Sequence, residues 1–401
     1  MTVPTTLLLD VALSVAALPC AAAAVYLSVL AVCSRRLPAS APAASTLRFD
    51  VVVPAHDEAA VIATTLASLL AIDYPRRNFR VTVVADNCSD DTAAIACGTG
   101  VRVLERRDTT HRGKGHALSY AFADFIDSAF ADVIVVVDAD SVVSPNLLAA
   151  FATRLAGGAE VVQARYGVRG SQRGWRPRLM SLAFTLFHDV RSQARERLRL
   201  SCGLRGNGMG FTRSALERVP YSAFSIVEDI EYGVELAMAG VRVAYVPEAL
   251  VQGDMPTAEG PARTQRERWE HGRAQLARRH RGRLLRTAIA RRDRVALDLF
   301  LDLIVPPLTT LAVTALVGTA VACASWWAGL SGSVPVAFWG LALFGIVVYV
   351  ARGCTMAGGG PRLIADLAWV PIFISWKLLR ALVGRKPRTT EWVRTRREPG
   401  Q

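Results

Sequence analysis

An α/β unit built on a mostly parallel sheet with helices on both faces, joined to transmembrane helices, is the fold class this sequence predicts. Three observations carry the prediction. Short β-branched apolar runs alternate with helical stretches between residues 49 and 262, the pattern of βαβ units. Long uncharged tracts flank that block on both sides. Each apolar run inside it ends in acid, as ligand sites at the carboxyl ends of parallel strands require.

Composition narrows the class before any motif is read. The chain has 401 residues, 52% hydrophobic and 20% charged, with mean hydropathy +0.28. Disorder needs the opposite balance, and seven Cys in this length do not make a disulfide scaffold. The formal charge of +13 invites a nucleic-acid partner. However, residues 263–294 hold twelve Arg against three acids, and residues 377–401 hold eight basic residues against two. The rest of the chain is near neutral, so the basicity is local and no nucleic acid is expected.

Residues 11–33 contain no charge, and about 20 apolar residues suffice to cross a bilayer. Their N-terminal flank lacks Lys and Arg, unlike a cleaved secretory signal. Arg35 and Arg36 then place the following chain in the cytoplasm by the positive-inside bias. Residues 303–351 are again uncharged and long enough for two spans joined near residues 329–335, a hairpin that returns both basic stretches to the same side. Residues 367–376 are too short to span and read as an interfacial or re-entrant helix. Each Lys or Arg near anionic lipid is worth about 1 kcal/mol, so membrane lipids account for the basic stretches. The expected organisation is a span at 1–36, a linker at 37–48, an α/β domain at 49–262, basic interfacial helices at 263–296, a transmembrane hairpin at 297–352, and an interfacial helix with basic tail at 353–401.

Within the block, FDVVV precedes a helix through Leu70, FRVTVVA a helix from Asp91, and ADVIVVV a helix from Pro145. Asp57 and Glu58, then Asp86, then Asp138 and Asp140, close the three runs. Asp and Asn also serve turns and helix N-caps, and Asp90 and Asp91 are read as caps. In Asp138-Ala139-Asp140 alternate residues of an extended segment share a face, so both carboxylates are expected to converge on one hard cation. Lys114 stands between two glycines in a chain with 44 Arg and three Lys, a placement suited to a phosphate. Glu228 and Asp229 open a helix whose apolar face is Ile230, Val234, Ala237 and Met238. Gln265, Arg268 and Trp269 fall on one face of another helix, an amide, a guanidinium and an indole suited to a phosphate beside a sugar ring.

Taken in order, PAHDE, ADNCSDDT, GKGHAL, DAD, VED and QRERW resemble the membrane-bound family-2 glycosyltransferases, a group that includes cellulose, chitin-oligosaccharide and hyaluronan synthases and ceramide glucosyltransferases. The resemblance covers about residues 51–273 and the flanking spans. It implies a cytoplasmic GT-A domain and inverting, metal-dependent transfer from a nucleotide-sugar, usually a UDP-sugar. It further implies that Asp86 contacts the base, Ala55 and Glu58 line that pocket, and Lys114 contacts the diphosphate. Asp138 would reach the ribose or the metal, and Asp140 would ligate Mg²⁺ or Mn²⁺. Asp229, with Glu228 beside it, would be the catalytic general base. Gln265 and Arg268 would hold the departing diphosphate, Trp269 would stack on the acceptor sugar, and Trp392 and Arg394 would belong to a gating tail. Many members carry Asp-Asp where this chain has Ala85-Asp86.

The expectation is therefore a multi-pass inner-membrane hexosyltransferase of polysaccharide biosynthesis that extends a glycan for export, with other polysaccharide-assembly proteins as possible partners. The alternatives are single transfer to a lipid acceptor, ceramide or polyprenyl-linked, and a non-catalytic nucleotide-sugar-binding scaffold.

Overall fold

The computed structural model describes residues 5–35, 46–128, 130–170, 174–254 and 259–370, with backbone alone at residue 5 and at 259–266. The first four strands are β1 (Phe49–Ala55), β2 (Phe79–Asp86), β3 (Arg102–Arg106) and β4 (Val133–Val136); the others are β5 (Ser141–Val143), β6 (Val161–Val168), β7 (Met209–Thr212) and β8 (Val243–Gly253). They form one sheet in the order β3-β2-β1-β4-β7-β6-β8-β5. Four neighbouring pairs are parallel, while β7 runs antiparallel to β4 and β6 and β5 runs antiparallel to β8. The sheet is thus mixed, with its parallel half leading.

The helices in chain order are α1 (Thr5–Cys33), α2 (Ile62–Leu70), α3 (Thr92–Gly98), α4 (Lys114–Asp127), α5 (Leu147–Ala156), α6 (Trp175–Phe184), α7 (Arg191–Arg197), α8 (Arg213–Arg218), α9 (Glu228–Met238), α10 (Glu259–Arg291), α11 (Arg294–Ile304), α12 (Leu308–Trp327), α13 (Val334–Ala357) and α14 (Gly360–Asp366). Successive strand residues point to opposite faces, which sorts the central valines into two cores. Val51, Val53, Val133 and Val135 pack under α2, α3 and α5. Val52, Ile134 and Val136 pack under α4, α8 and α9. Complete burial of both faces explains why FDVVV and VIVVV read as unbroken apolar runs.

Three helices, Thr6–Cys33, Leu308–Trp327 and Val334–Ala357, are long and apolar enough to cross a membrane. Asp10 of α1 accepts from the Gly332 amide at 2.7 Å, and Arg352 of α13 donates to the Ser34 hydroxyl at 2.8 Å. α1 and α13 therefore run in one direction with α12 opposed, and the chain leaves both α1 and α13 on one side. Contact is close: Gly345 sits against Ser28 and Ala24, and Gly318 against the Trp339 ring. Only the first part of the expected interfacial segment is described; residues 371–376, Trp392 and Arg394 lie outside the described residues.

α6, a π-helical turn (Thr185–Val190) and α7 lie between this bundle and the sheet. Tyr349 of α13 donates to the Leu186 carbonyl at 2.6 Å. Arg195, 1% exposed, donates to Asp298 at 2.8 Å and to Tyr26 of α1 at 2.8 Å, and lies 2.9 Å from Asp302. Arg191 donates to Asp302 at 2.8 Å and to Tyr349 at 2.9 Å. Side chains from α1, α7, α11 and α13 thereby share one buried polar network.

Candidate active site

The site forms where β1, β2 and β4 end. Asp86 closes β2, and its Oδ1 accepts from Arg106 of β3 at 2.6 Å and from Asn87 at 3.0 Å. Arg106 also donates to Asp108 at 2.9 Å and to the His111 carbonyl at 2.8 Å, so the carboxylate is oriented before any ligand arrives. Ala55 ends β1 in register with Ala85 and is buried. Just beyond it, the Glu58 amide donates to Thr92 Oγ1 at 2.8 Å. Asp91 occupies the N-cap position of α3, but its side chain makes no cap bond; Asp90 accepts from the Thr92 amide instead, at 3.0 Å.

Lys114 begins α4 immediately after Gly113, whose φ of +116° is a glycine conformation. Its Nζ donates to Asp138 Oδ1 at 2.5 Å and to the Gly206 carbonyl at 2.5 Å, and lies 3.8 Å from Glu228 Oε1. Gly206, at φ +78°, approaches so closely that a Cβ there would stand 3.3 Å from Asp229 Oδ2. Asp138, Glu228 and the Gly206 carbonyl, distant in sequence, thus gather round the Lys114 ammonium, with Asp229 against Gly206. Burial raises the Asp229 carboxyl above the usual range, against the lowering field of Lys114. Burial likewise raises Asp138, opposed by Lys114 and assisted by Asp140, and pushes Glu228 up to about 7. Burial would discharge Lys114, but the charges of Asp138 and Glu228 hold its ammonium above the ordinary value.

β4 ends at Val136, so Asp138 and Asp140 stand on the following turn and not on an extended segment as the sequence led us to expect. A second layer holds that turn. The Asp138 amide donates to Asn207 Oδ1 at 3.1 Å, Asn207 Nδ2 donates to Ser141 Oγ at 2.7 Å, and Ser141 Oγ reaches Asp140 Oδ1 at 3.3 Å. Buried Gln163 donates to the Asn207 carbonyl at 2.7 Å and accepts from the Arg205 amide at 2.9 Å. The fields of Asp138 and Asp140 both reach the Tyr166 phenol, which desolvation holds above its ordinary range. Two carboxylates close enough for the charge of Asp140 to act on Asp138 are hard oxygen donors that fit Mg²⁺ or Mn²⁺. By contrast, Asp57, Cys88 and Asp90 cluster near the Ala55 loop, but Asp57 already accepts the Ser89 and Asp90 amides and a thiol is a poor ligand for such ions.

From Tyr166 a wall of rings runs toward α10: Tyr166 to His188 at 5.3 Å, His188 to Phe184 at 4.7 Å, and Phe184 to Trp269 at 6.3 Å. His188 lies in the π-helical turn, a local distortion often found at functional sites. Arg205 is 7% exposed and has no carboxylate partner among the described residues; it packs 4.7 Å over Phe187, and burial pushes its guanidinium down to about 10. Trp269 is partly exposed and Arg268 half-buried, both on α10; Gln265 lies on the same helix, its side chain outside the described residues. The sequence reading missed Arg106, Gln163, Tyr166, His188, Arg205 and Asn207. Only the glycine-rich run around Arg205 and Asn207 offered a signal.

Residues 47–272 match the family model described as glycosyltransferase-like family 2, and the chain belongs to that family. It is 24% identical over 264 residues to a probable glycosyltransferase, YdaM, of Bacillus subtilis, covering 63% of this chain and 61% of that protein. It is 28% identical over 243 residues to the beta-monoglucosyldiacylglycerol synthase of Synechocystis, covering 57% and 49%. The chain thus spans about half to six-tenths of the length of these relatives. Among solved structures, the mannosyltransferase PcManGT of Pyrobaculum calidifontis, in complex with GDP-Man and Mn²⁺, superposes with TM-score 0.54 at 20% identity, covering 85% of this chain and 98% of that one. The fold is GT-A.

Proposed function

We propose that this chain is a membrane-held inverting hexosyltransferase that moves a sugar from a nucleotide-sugar, a UDP-sugar by preference, to a hydroxyl of a growing glycan at the cytoplasmic face of the cell membrane. One observation carries the reading: the Asp229 carboxyl, raised by burial, beside the ion pair of Lys114 and Asp138. A carboxylate of raised basicity suits proton removal from an alcohol better than attack by a phosphate, which needs no base. In the step itself the acceptor oxygen forms a bond to the sugar's anomeric carbon while the bond to the diphosphate oxygen breaks. The acceptor proton passes to Asp229, and Lys114, with Arg268 and Gln265, receives charge developing on the diphosphate. Asp86, steadied by Arg106, is suited to the base, with Ala55 and Glu58 beside it. A divalent ion held by Asp138 and Asp140 would supply Lewis-acid stabilisation of the leaving group. Trp269 and the ring wall behind it suit the faces of an acceptor sugar.

The close packing of α1, α12 and α13, with Gly345 against Ser28 and Ala24 and Gly318 against the Trp339 ring, favours a second acceptor, a membrane lipid taking a single sugar. Donor hydrolysis by purified protein across UDP- and GDP-sugars, followed by mass spectrometry of products, separates the readings: a ladder of oligomers supports glycan extension, and a lipid with one added hexose supports the other. Absence of hydrolysis with every donor would leave the scaffold alternative. EDTA is expected to stop turnover, with Mg²⁺ or Mn²⁺ restoring it; unaffected turnover would remove the metal role from Asp138 and Asp140.

The raised carboxyls also predict the pH dependence. A proton on Asp229 blocks the base, so kcat should climb with pH as Glu228 and Asp229 deprotonate. The acid limb should lie above the usual carboxylate range, measured over roughly pH 5 to 9.

A further inference from the structure

We infer that the C-terminal half of α10, together with α11, is a docking surface for anionic lipid headgroups of the bilayer that holds the spans, and that this contact sets the position of α10 in the active site. Between Arg278 and Arg294 the chain carries eight Arg and one Asp. All eight are exposed, and Arg279 alone meets a carboxylate among the described residues, Glu231 at 3.0 Å. The single acid, Asp293, is spent on the N-cap of α11, accepting from the Val295 and Ala296 amides. Between the arginines stand Leu285 and Ile289, four residues apart and therefore on one helix face; Ile289 is 71% exposed. Leu297 and Ile304, seven residues apart on α11, are exposed as well, and Ile304 stands four residues before the candidate span α12 begins.

Exposed apolar side chains among guanidiniums that, Arg279 apart, meet no carboxylate among the described residues form a surface suited to a headgroup layer, and continuity with α12 places that layer beside it. The opposite face of α10 is committed to the protein: Leu276, Leu284 and Ala288 pack on Val227 and Val234 of the α9 region. A Cβ on Gly272 would stand 2.9 Å from a Val227 methyl. One continuous 33-residue helix therefore joins the basic surface to Arg268 and Trp269, and packs against the segment that opens at Glu228 and Asp229. Headgroup charge should accordingly act on turnover and not merely on attachment.

This inference rests on the membrane reading, and the test keeps the two apart. The full chain is placed in lipid nanodiscs of phosphatidylcholine alone or with phosphatidylglycerol, with a photocrosslinking benzophenone residue substituted at Ile289. Each basic residue near an anionic leaflet raises surface affinity about fivefold, so three contribute on the order of a hundredfold. We expect donor turnover to rise several-fold in the anionic discs, and lipid adducts at position 289 to favour phosphatidylglycerol. The variant combining Arg281→Gln, Arg286→Gln and Arg292→Gln should lose both effects while keeping its turnover in neutral discs. Incorporation with equal turnover and equal adducts in both discs overturns the inference alone, as does an unchanged response of the triple variant. Failure to incorporate into either disc overturns the membrane reading and this inference with it.

Discussion

Asp229→Asn is expected to lower kcat by about 10²–10⁴-fold while leaving donor affinity unchanged. The substitution is nearly isosteric, so Gly206, whose added Cβ would stand 3.3 Å from the carboxylate, is not displaced. What disappears is a proton acceptor whose basicity burial has raised. Lys114 keeps Asp138 and Glu228, and the diphosphate contact it is proposed to make survives. Glu228→Gln should cost less, because Glu228 faces the ammonium 3.8 Å away and, in the proposed mechanism, does not take the acceptor proton. The measurement is acceptor-dependent transfer at saturating donor, with donor binding followed separately by calorimetry. Transfer that survives in Asp229→Asn with an unchanged acid limb would remove Asp229 as the base. Equal losses in both variants would point to the charge of the cluster instead.

The parts of this site legible from sequence are those where a local rule applies. β1, β2 and β4 are buried on both faces, so their valines form unbroken runs, and the residues after them mark the sheet edge. Lys114 stood out because the chain otherwise uses Arg. β3, Arg-Val-Leu-Glu-Arg at the sheet edge, shows neither an apolar run nor an alternation, and β5 and β7 have only three and four residues, too few for a period to show. β6 and β8 pair through a register shift at Ala164 and Arg165, which breaks a simple pattern. Asn207 reaches Asp138 across 69 residues, and Arg195 reaches Asp298 across 103. Such partners are chosen by tertiary packing, and no spacing rule within a helix or strand records them. The π-helical turn is similarly silent, since TLFHDV has no breaker and simply continues a helical sequence.

Asp302→Ala should destabilise the chain by about 3–5 kcal/mol, the cost of leaving buried charge without its partner. Asp302 is 7% exposed and accepts from Arg191 at 2.8 Å, lies 2.9 Å from Arg195, and is 3.4 Å from Arg273. Burial would raise its carboxyl, but the fields of Arg195, Arg273 and Arg191 hold it well below the ordinary range. Three buried or largely buried arginines, Arg191, Arg195 and Arg273, share only Asp298 and Asp302 among the ion pairs of the described residues, so removing one carboxylate leaves more guanidinium charge than the interior can solvate. Through Tyr26 and Tyr349 the same network ties α1 and α13 to α7, so its loss should loosen the bundle from the sheet. Thermal unfolding in detergent should show the loss, and proteolysis should cut between the two parts before either is degraded. Adding Arg191→Met to Asp302→Ala should cost less than the sum of the two changes, because the methionine removes a cation that the first change stranded. Strict additivity would mean that Asp302 acts through packing and not as the charge centre of the network.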